Sequence, residues 1–162
     1  MTRAPRHSLA LLGWVVLCEA AGVIGALFTA PAIPGWYAAL AKPAFSPPPW
    51  VFGPVWTTLY LLMGVAAWMV WRDKRAVPTM RRRALTLFAL QLALNALWSP
   101  VFFGLHNLAG AFALIVLLWL AIIATFAAFA RVSRSAAWLL APYLAWVTFA
   151  TYLTYALWSL NA

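Results

Sequence analysis

Gln91, Asn95 and Ser99 stand at i, i+4 and i+8 in an otherwise apolar stretch that runs Gln91-Leu92-Ala93-Leu94-Asn95-Ala96-Leu97-Trp98-Ser99. On a helix this spacing aligns two amides and a hydroxyl on one face. Such a line can bond to neighbouring helices, at about 0.6 to 2 kcal/mol per contact in apolar surroundings, or it can form the polar wall of a ligand pocket with Trp98 beside it. Pro100, just beyond, removes a backbone donor and frees the carbonyl of Ala96, which Ser99 is placed to help satisfy. Two other stretches carry comparable faces. Trp56, Tyr60, Gly64 and Trp68 recur at intervals of four, and Tyr143, Trp146 and Ala150 fall at i, i+3 and i+7. The small Ala150 leaves space there for a neighbouring helix or a flat ligand. Interior indoles need an acceptor for the ring N–H, so Trp56, Trp98, Trp119 and Trp146 indicate either tight helix packing or a cavity with polar company.

Residues able to make and break bonds are scarcer. His7 and His106 fall at helix boundaries and read as solvated histidines. No His/Cys/carboxylate constellation has metal-ligand spacing, and no nucleophile and base are paired. The sequence therefore predicts no catalytic residue, no metal and no required cofactor. Cys18 has no second cysteine with which to form an intrachain disulfide. Glu19 is the residue that needs an explanation: a carboxylate at mid-bilayer costs at least about 2.5 to 3.5 kcal/mol. It must be neutralised, or face the bundle or a subunit contact. A structural hydrogen bond, a part in ligand or proton handling, and a place at a dimer seam are all open.

The elements that position these residues follow from composition. Of 162 residues, 67% are hydrophobic and 8% charged, against about 45–50% and about 25% in soluble domains. An ordinary globular enzyme, a disordered chain and a disulfide scaffold are excluded. A helix needs about 20 apolar residues to cross a bilayer, and five runs meet that length, at about 9–30, 50–71, 84–105, 108–130 and 136–160. The predicted class is an all-α integral membrane protein, a bundle of five transmembrane helices forming a single domain over residues 1–162.

The formal charge of +9 does not mark a nucleic-acid surface, because the basic residues sit between apolar runs. Arg3 and Arg6 precede the first run; Arg72, Lys74, Arg75 and Arg81 to Arg83 separate the second from the third; Arg131 and Arg134 separate the fourth from the fifth. Only Lys42 lies on the other side. The positive-inside rule then predicts a cytoplasmic N-terminus and an outer C-terminus, and the asymmetry favours a bacterial inner membrane, with an outer membrane still open. The first run is longer than the 7 to 15 residues usual for a leader's apolar region and contains Glu19, so it reads as a retained span. Trp50, Trp71, Trp138 and Trp158 fit an interfacial belt. Small residues in Ala21-Gly22-Val23-Ile24-Gly25-Ala26 suit close helix approach and a dimer. The outer stretch 36–50, with Pro34 just before it and Pro43, Pro47, Pro48 and Pro49 within it, reads as a stiff linker or as an ordered lid.

Taken in order, Trp36-Tyr37, Lys42-Pro43, Pro47-Pro48, Trp56, Tyr60, Gln91 to Asn95, Trp98, Phe102-Phe103-Gly104, Pro142-Tyr143, Trp146, Phe149-Ala150, Trp158 and Asn161 resemble the translocator protein or tryptophan-rich sensory protein (TspO/MBR) family, the peripheral-type benzodiazepine receptors. The resemblance covers nearly the whole chain. It implies a five-helix bundle, commonly a homodimer, with a pocket roofed by the first loop that binds porphyrins such as protoporphyrin IX and haem, and benzodiazepine-type ligands. It implies a role in tetrapyrrole handling or stress signalling, with porphyrin degradation under light or oxygen as the alternative activity. By position, Tyr37 and Pro47 would belong to the lid, Trp56 and Tyr60 to the second helix's wall, Asn95, Trp98 and Ser99 to the third's, and Trp146 and Ala150 to the fifth's. One departure concerns sterols, which bind some members through a pattern needing Lys or Arg shortly after a tyrosine. No basic residue follows Tyr155, which argues against sterol recognition there.

Overall fold

The computed structural model describes residues 4–162, with side chains from His7 onward; the charges of Arg3 and Arg6 lie outside what is described. Five helical segments are long and apolar enough to span a membrane: His7–Tyr37, Pro49–Arg72, Pro78–Gly104, Leu108–Ala130 and Arg134–Asn161. They comprise α1 (Ala4–Ala32) with a π-helical turn at Ile33–Tyr37, a 3-10 turn at Pro49–Val51 leading into α2 (Phe52–Arg72), α3 (Pro78–Ser99) with a second π-helical turn at Pro100–Gly104, α4 (Leu108–Ala130), a short α5 (Arg134–Leu139) and α6 (Ala141–Asn161).

Prolines explain where these bounds differ from hydropathy. The first run does not stop near Ala30: Pro31 lies within α1 and Pro34 within the π-helical turn that follows it, so Trp36 and Tyr37 extend the helix instead of opening the loop. The third helix starts six residues before the predicted 84, because Pro78 suits a first turn that needs no N–H, and the aliphatic stems of Arg81 to Arg83 can lie along it. At Pro100 the missing donor shifts the pattern, and Leu105 N–H bonds to the Pro100 carbonyl at 2.9 Å.

The two ends of the bundle are chemically distinct. Trp68 Nε1 donates to the His7 carbonyl at 3.1 Å, joining the end of α2 to the start of α1, and Asp73 Oδ1 accepts from Arg75 N at 2.8 Å in the basic α2–α3 connection. At the opposite end, Asn161 clasps the first loop: Ala41 N donates to its Oδ1 and its Nδ2 donates to the Ala41 carbonyl, both at 2.9 Å. Phe45 stacks on Tyr152 with ring centroids 5.1 Å apart. The loop is thus pinned to α6 at two points. Asn161→Ala is expected to raise amide exchange across residues 38–48 about ten-fold or more while leaving the helices protected; hydrogen exchange read by mass spectrometry checks this.

The core centres on Met63, Phe88, Leu118, Ile122, Phe129 and Tyr143, all buried. Outward, Leu9, Leu12, Leu27, Leu117 and Leu120 are exposed, as expected of a surface solvated by lipid. Trp50 and Trp138 are 75% and 68% exposed at opposite ends of the bundle, where an interfacial belt belongs.

Candidate functional site

Between the core and the first loop lies a cavity of about 310 Å³ lined by α1, α2, α3, α4, α6 and both π-helical turns. Helix divergence makes the room. Gly64 lets α2 touch the backbone of α1 at Val15, whereas further along α1 leans on the α3 side, where Phe28 packs against Gly104 and Ser99 lies beside Gly25. Among the lining residues Val23, Ala26, Gly53 and Thr57 are exposed, so the cavity opens between α1 and α2 onto the bundle's outer face.

The floor is a chain of hydrogen bonds joining three helices. Tyr60 OH donates to Asn95 Oδ1, Asn95 Nδ2 donates to Tyr143 OH at 2.9 Å, and Tyr143 OH donates to Gln91 Oε1 at 2.8 Å. A primary amide has two donors and an acceptor with two lone pairs. Asn95 therefore keeps one donor and one acceptor position beyond this chain. Gln91 Nε2 is buried with no partner among the described residues.

The walls are aromatic. Trp56 stacks on Tyr60 with centroids 5.4 Å apart, and Phe52 meets Trp146 edge-on at 5.9 Å. Trp98 lies against Phe102 at 4.8 Å, while its Nε1 donates to the Ala111 carbonyl at 3.2 Å. Trp98 thus offers a ring face and no spare donor. Trp146 is the opposite case: its Nε1 is buried and unbonded among the described residues, on a residue that lines the cavity. Thr29 Oγ1 donates to the Gly25 carbonyl at 2.9 Å and lies within hydrogen-bond reach of Ser99 Oγ at 3.4 Å, the two hydroxyls facing each other. Ser99 is therefore engaged with α1 and has no bond to the Ala96 carbonyl. At the roof Tyr37 is capped by the Lys42 ammonium, 4.8 Å from its ring centroid, which donates to the carbonyls of Ala38 and Leu40 at 3.0 and 3.2 Å.

Of the site residues expected from sequence, Tyr37, Trp56, Tyr60, Asn95, Trp98, Ser99, Trp146 and Ala150 all lie on this cavity. Pro47 does not; Pro49 lines it instead. A turn closed by Ser46 N–H on the Pro43 carbonyl, followed by one closed by Val51 N–H on the Pro48 carbonyl, carries Pro47 past the lining. Tyr143 shares a helical face with Trp146, yet it sits beneath the cavity as a fully buried link in the floor. Sequence reasoning missed Phe52, which continues the interval of four that joins Trp56 and Tyr60, missed Thr29, and left Glu19 without a place. Glu19 lines the cavity and has no hydrogen bond or ion pair with a described residue. His106 has no His, Cys, Asp or Glu company that could hold a metal among the described residues; its imidazole stacks on Trp36 at 4.2 Å.

Known proteins carry similar sequence along the bundle. The chain is 42% identical to the tryptophan-rich protein TspO of Chlorobaculum tepidum over 96% of its own length and 98% of that protein's. It is 41% identical to the protein CrtK of Rhodobacter capsulatus over 91% and 90%, and 44% identical to the human translocator protein over 78% and 75%. The model of the TspO/MBR family matches residues 14–159, a stretch that takes in nearly all of the five spans and every residue of the cavity wall, and the chain is an integral membrane protein belonging to that family.

Proposed function

We propose that the protein is a membrane receptor or carrier for porphyrins, such as protoporphyrin IX and haem, and for benzodiazepine-type and similar flat hydrophobic molecules, with a role in tetrapyrrole handling or stress signalling. The observation that carries this reading is the pairing of aromatic walls with a small number of unspent polar groups, namely Trp146 Nε1 and the free positions of Asn95. A planar, mostly apolar ligand with a few acceptors complements such a wall. A volume of about 310 Å³ sits at the low end of ligand cavities, roughly 300–1,000 Å³, and the gap between α1 and α2 allows a larger ring to extend outward. Lys42, whose ammonium has a third N–H to give, is placed above Tyr37 to attract a propionate. In this reading the basic end faces the cytoplasm of a bacterial inner membrane, and two copies form a homodimer.

Protoporphyrin IX titrated into the purified protein is expected to quench tryptophan fluorescence saturably. The double variant Trp56→Phe, Trp146→Phe loses stacking area and the free indole donor together. Its affinity is expected to fall about ten-fold or more, measured by porphyrin absorbance because two of the fluorophores are gone. An unchanged affinity would place the ligand elsewhere.

A further inference from the structure

Glu19 is the charged residue on the cavity wall, which includes no Lys, Arg or His. Its carboxyl has neither a hydrogen bond nor an ion pair with any described residue. Several of the other polar groups on the wall are spent on the protein itself: Tyr60 on Asn95, Trp98 on Ala111, Thr29 on Gly25 and Thr154 on Ala150. What remains for a ligand includes the hydroxyls of Tyr37, Thr57 and Ser99, the spare positions of Asn95, the unbonded Trp146 Nε1 and, as the one carboxyl, Glu19.

These groups lie at different depths. Gly64 approaches Val15, and Gly22 approaches Tyr60, which sets Glu19 level with about residues 60–63 of α2. Trp146 meets Phe52 and Tyr143 meets Trp56, which sets Trp146 level with about residue 52. Eight or more residues of helix separate the two levels, roughly 12 Å at 1.5 Å per residue. The carboxyl therefore sits toward the basic end of the cavity, on the level of Tyr60 and Asn95, and Trp146 toward the loop.

We propose that Glu19 is a ligand-recognition residue that makes this end of the cavity a subsite for a cationic head group, so that the protein binds flat hydrophobic amines. This rests on the cavity being a ligand site, and it names a ligand class that the porphyrin reading does not. The physical reason is that a lone carboxylate in apolar surroundings is costly and a charge-assisted partner removes much of that cost. An amine arriving uncharged from the lipid through the α1–α2 gap takes the carboxyl proton, leaving an ammonium–carboxylate pair with no net charge. A neutral ligand gains nothing comparable, and a ligand carboxylate has no proton to take up from Glu19 that would leave a pair of opposite charges; the cation placed to receive such an acid is Lys42, at the loop end.

The test uses 1-pyrenemethylamine and 1-pyrenemethanol, one flat four-ring body with and without a cationic head. Both are titrated into the full chain in lipid nanodiscs, with energy transfer from tryptophan to pyrene as the readout and empty nanodiscs subtracted. The wild type is expected to bind the amine about ten-fold or more tightly than the alcohol, and Glu19→Gln, which keeps size and removes charge, to bring the two within about two-fold. Glu19→Asp, retaining the charge on a shorter stem, is expected to keep part of the preference. An amine preference that survives in Glu19→Gln, or a wild type that does not distinguish the probes, overturns the assignment of Glu19 and leaves the cavity reading standing. Failure of both probes and of protoporphyrin IX to bind overturns both.

Discussion

Gly64→Leu is expected to abolish the folded bundle, and Gly64→Ala to cost about 1–3 kcal/mol of stability. A Cβ at Gly64 would lie 2.6 Å from Val15 Cα, 2.9 Å from Val15 N and 3.0 Å from the Trp14 carbonyl oxygen. These are backbone atoms of a neighbouring helix. No rotamer change relieves the overlap, so α1 and α2 must separate, and their separation would also open the floor on which Tyr60 rests. Gly13 supplies the control, because a Cβ there meets nothing within 4 Å. Gly13→Ala is expected to be neutral or to stabilise by up to about 1 kcal/mol through helix propensity alone. Thermal unfolding in detergent, followed by aggregation-sensitive chromatography, separates the two cases. A Gly64→Ala protein melting with the wild type would mean that α1 does not approach α2 so closely.

The second large effect belongs to Asn95. Asn95→Leu keeps the volume and removes the hub of the floor, leaving Tyr60 OH without its partner and Tyr143 OH with only Gln91. An unmade buried hydrogen bond costs about 1–3 kcal/mol in proteins at large, while bonds between membrane helices average about 0.6 kcal/mol with a maximum near 1.7. About 1–2 kcal/mol is therefore expected from the loss of two such bonds. Ligand affinity should fall as well, about ten-fold, because Asn95 lines the cavity and its spare donor and acceptor disappear. Tyr143→Phe distinguishes the two effects. It breaks the same chain from below but does not line the cavity, so it should lower stability comparably while reducing protoporphyrin IX affinity less than Asn95→Leu does. Equal binding losses in the two variants would show that the network matters only by holding the floor in shape.

The polar stripe of α3 shows how far spacing reaches. Periodicity put Gln91, Asn95 and Ser99 on one face, and the structure gives each a different task. Gln91 bonds Tyr143 in the core, Asn95 joins the core to the cavity, and Ser99 meets Thr29 across the α1 seam. Bonding between helices and lining a cavity were posed as alternatives for the stripe; Asn95 does both. The prolines misled in the other direction. By sequence the first span is bounded near residue 30 and Pro34 to Pro49 are assigned to the outer stretch, yet the helix continues through a π-helical turn that contains Pro34 to carry Tyr37 onto the roof.

Length, apolar run and charge placement determined by themselves that the chain spans a membrane five times with every basic residue but Lys42 assigned to one side, because crossing hydrocarbon demands about 20 predominantly apolar residues whatever the neighbours are. Helical period also determined which side chains share a face. Tertiary structure alone decided what each face meets. Trp98 and Trp146 are the same residue type on comparable faces, yet one spends its N–H on Ala111 and the other keeps it buried without a partner among the described residues. The difference lies in which neighbour each indole meets, the Ala111 carbonyl of α4 for Trp98 and the Phe52 ring of α2 for Trp146, a matter of contact between helices that one helix's period does not encode. The packing of α1 against α2 at Gly64 and against α3 at Gly25 likewise puts Glu19 on the wall of a cavity, and no periodicity within one helix encodes it.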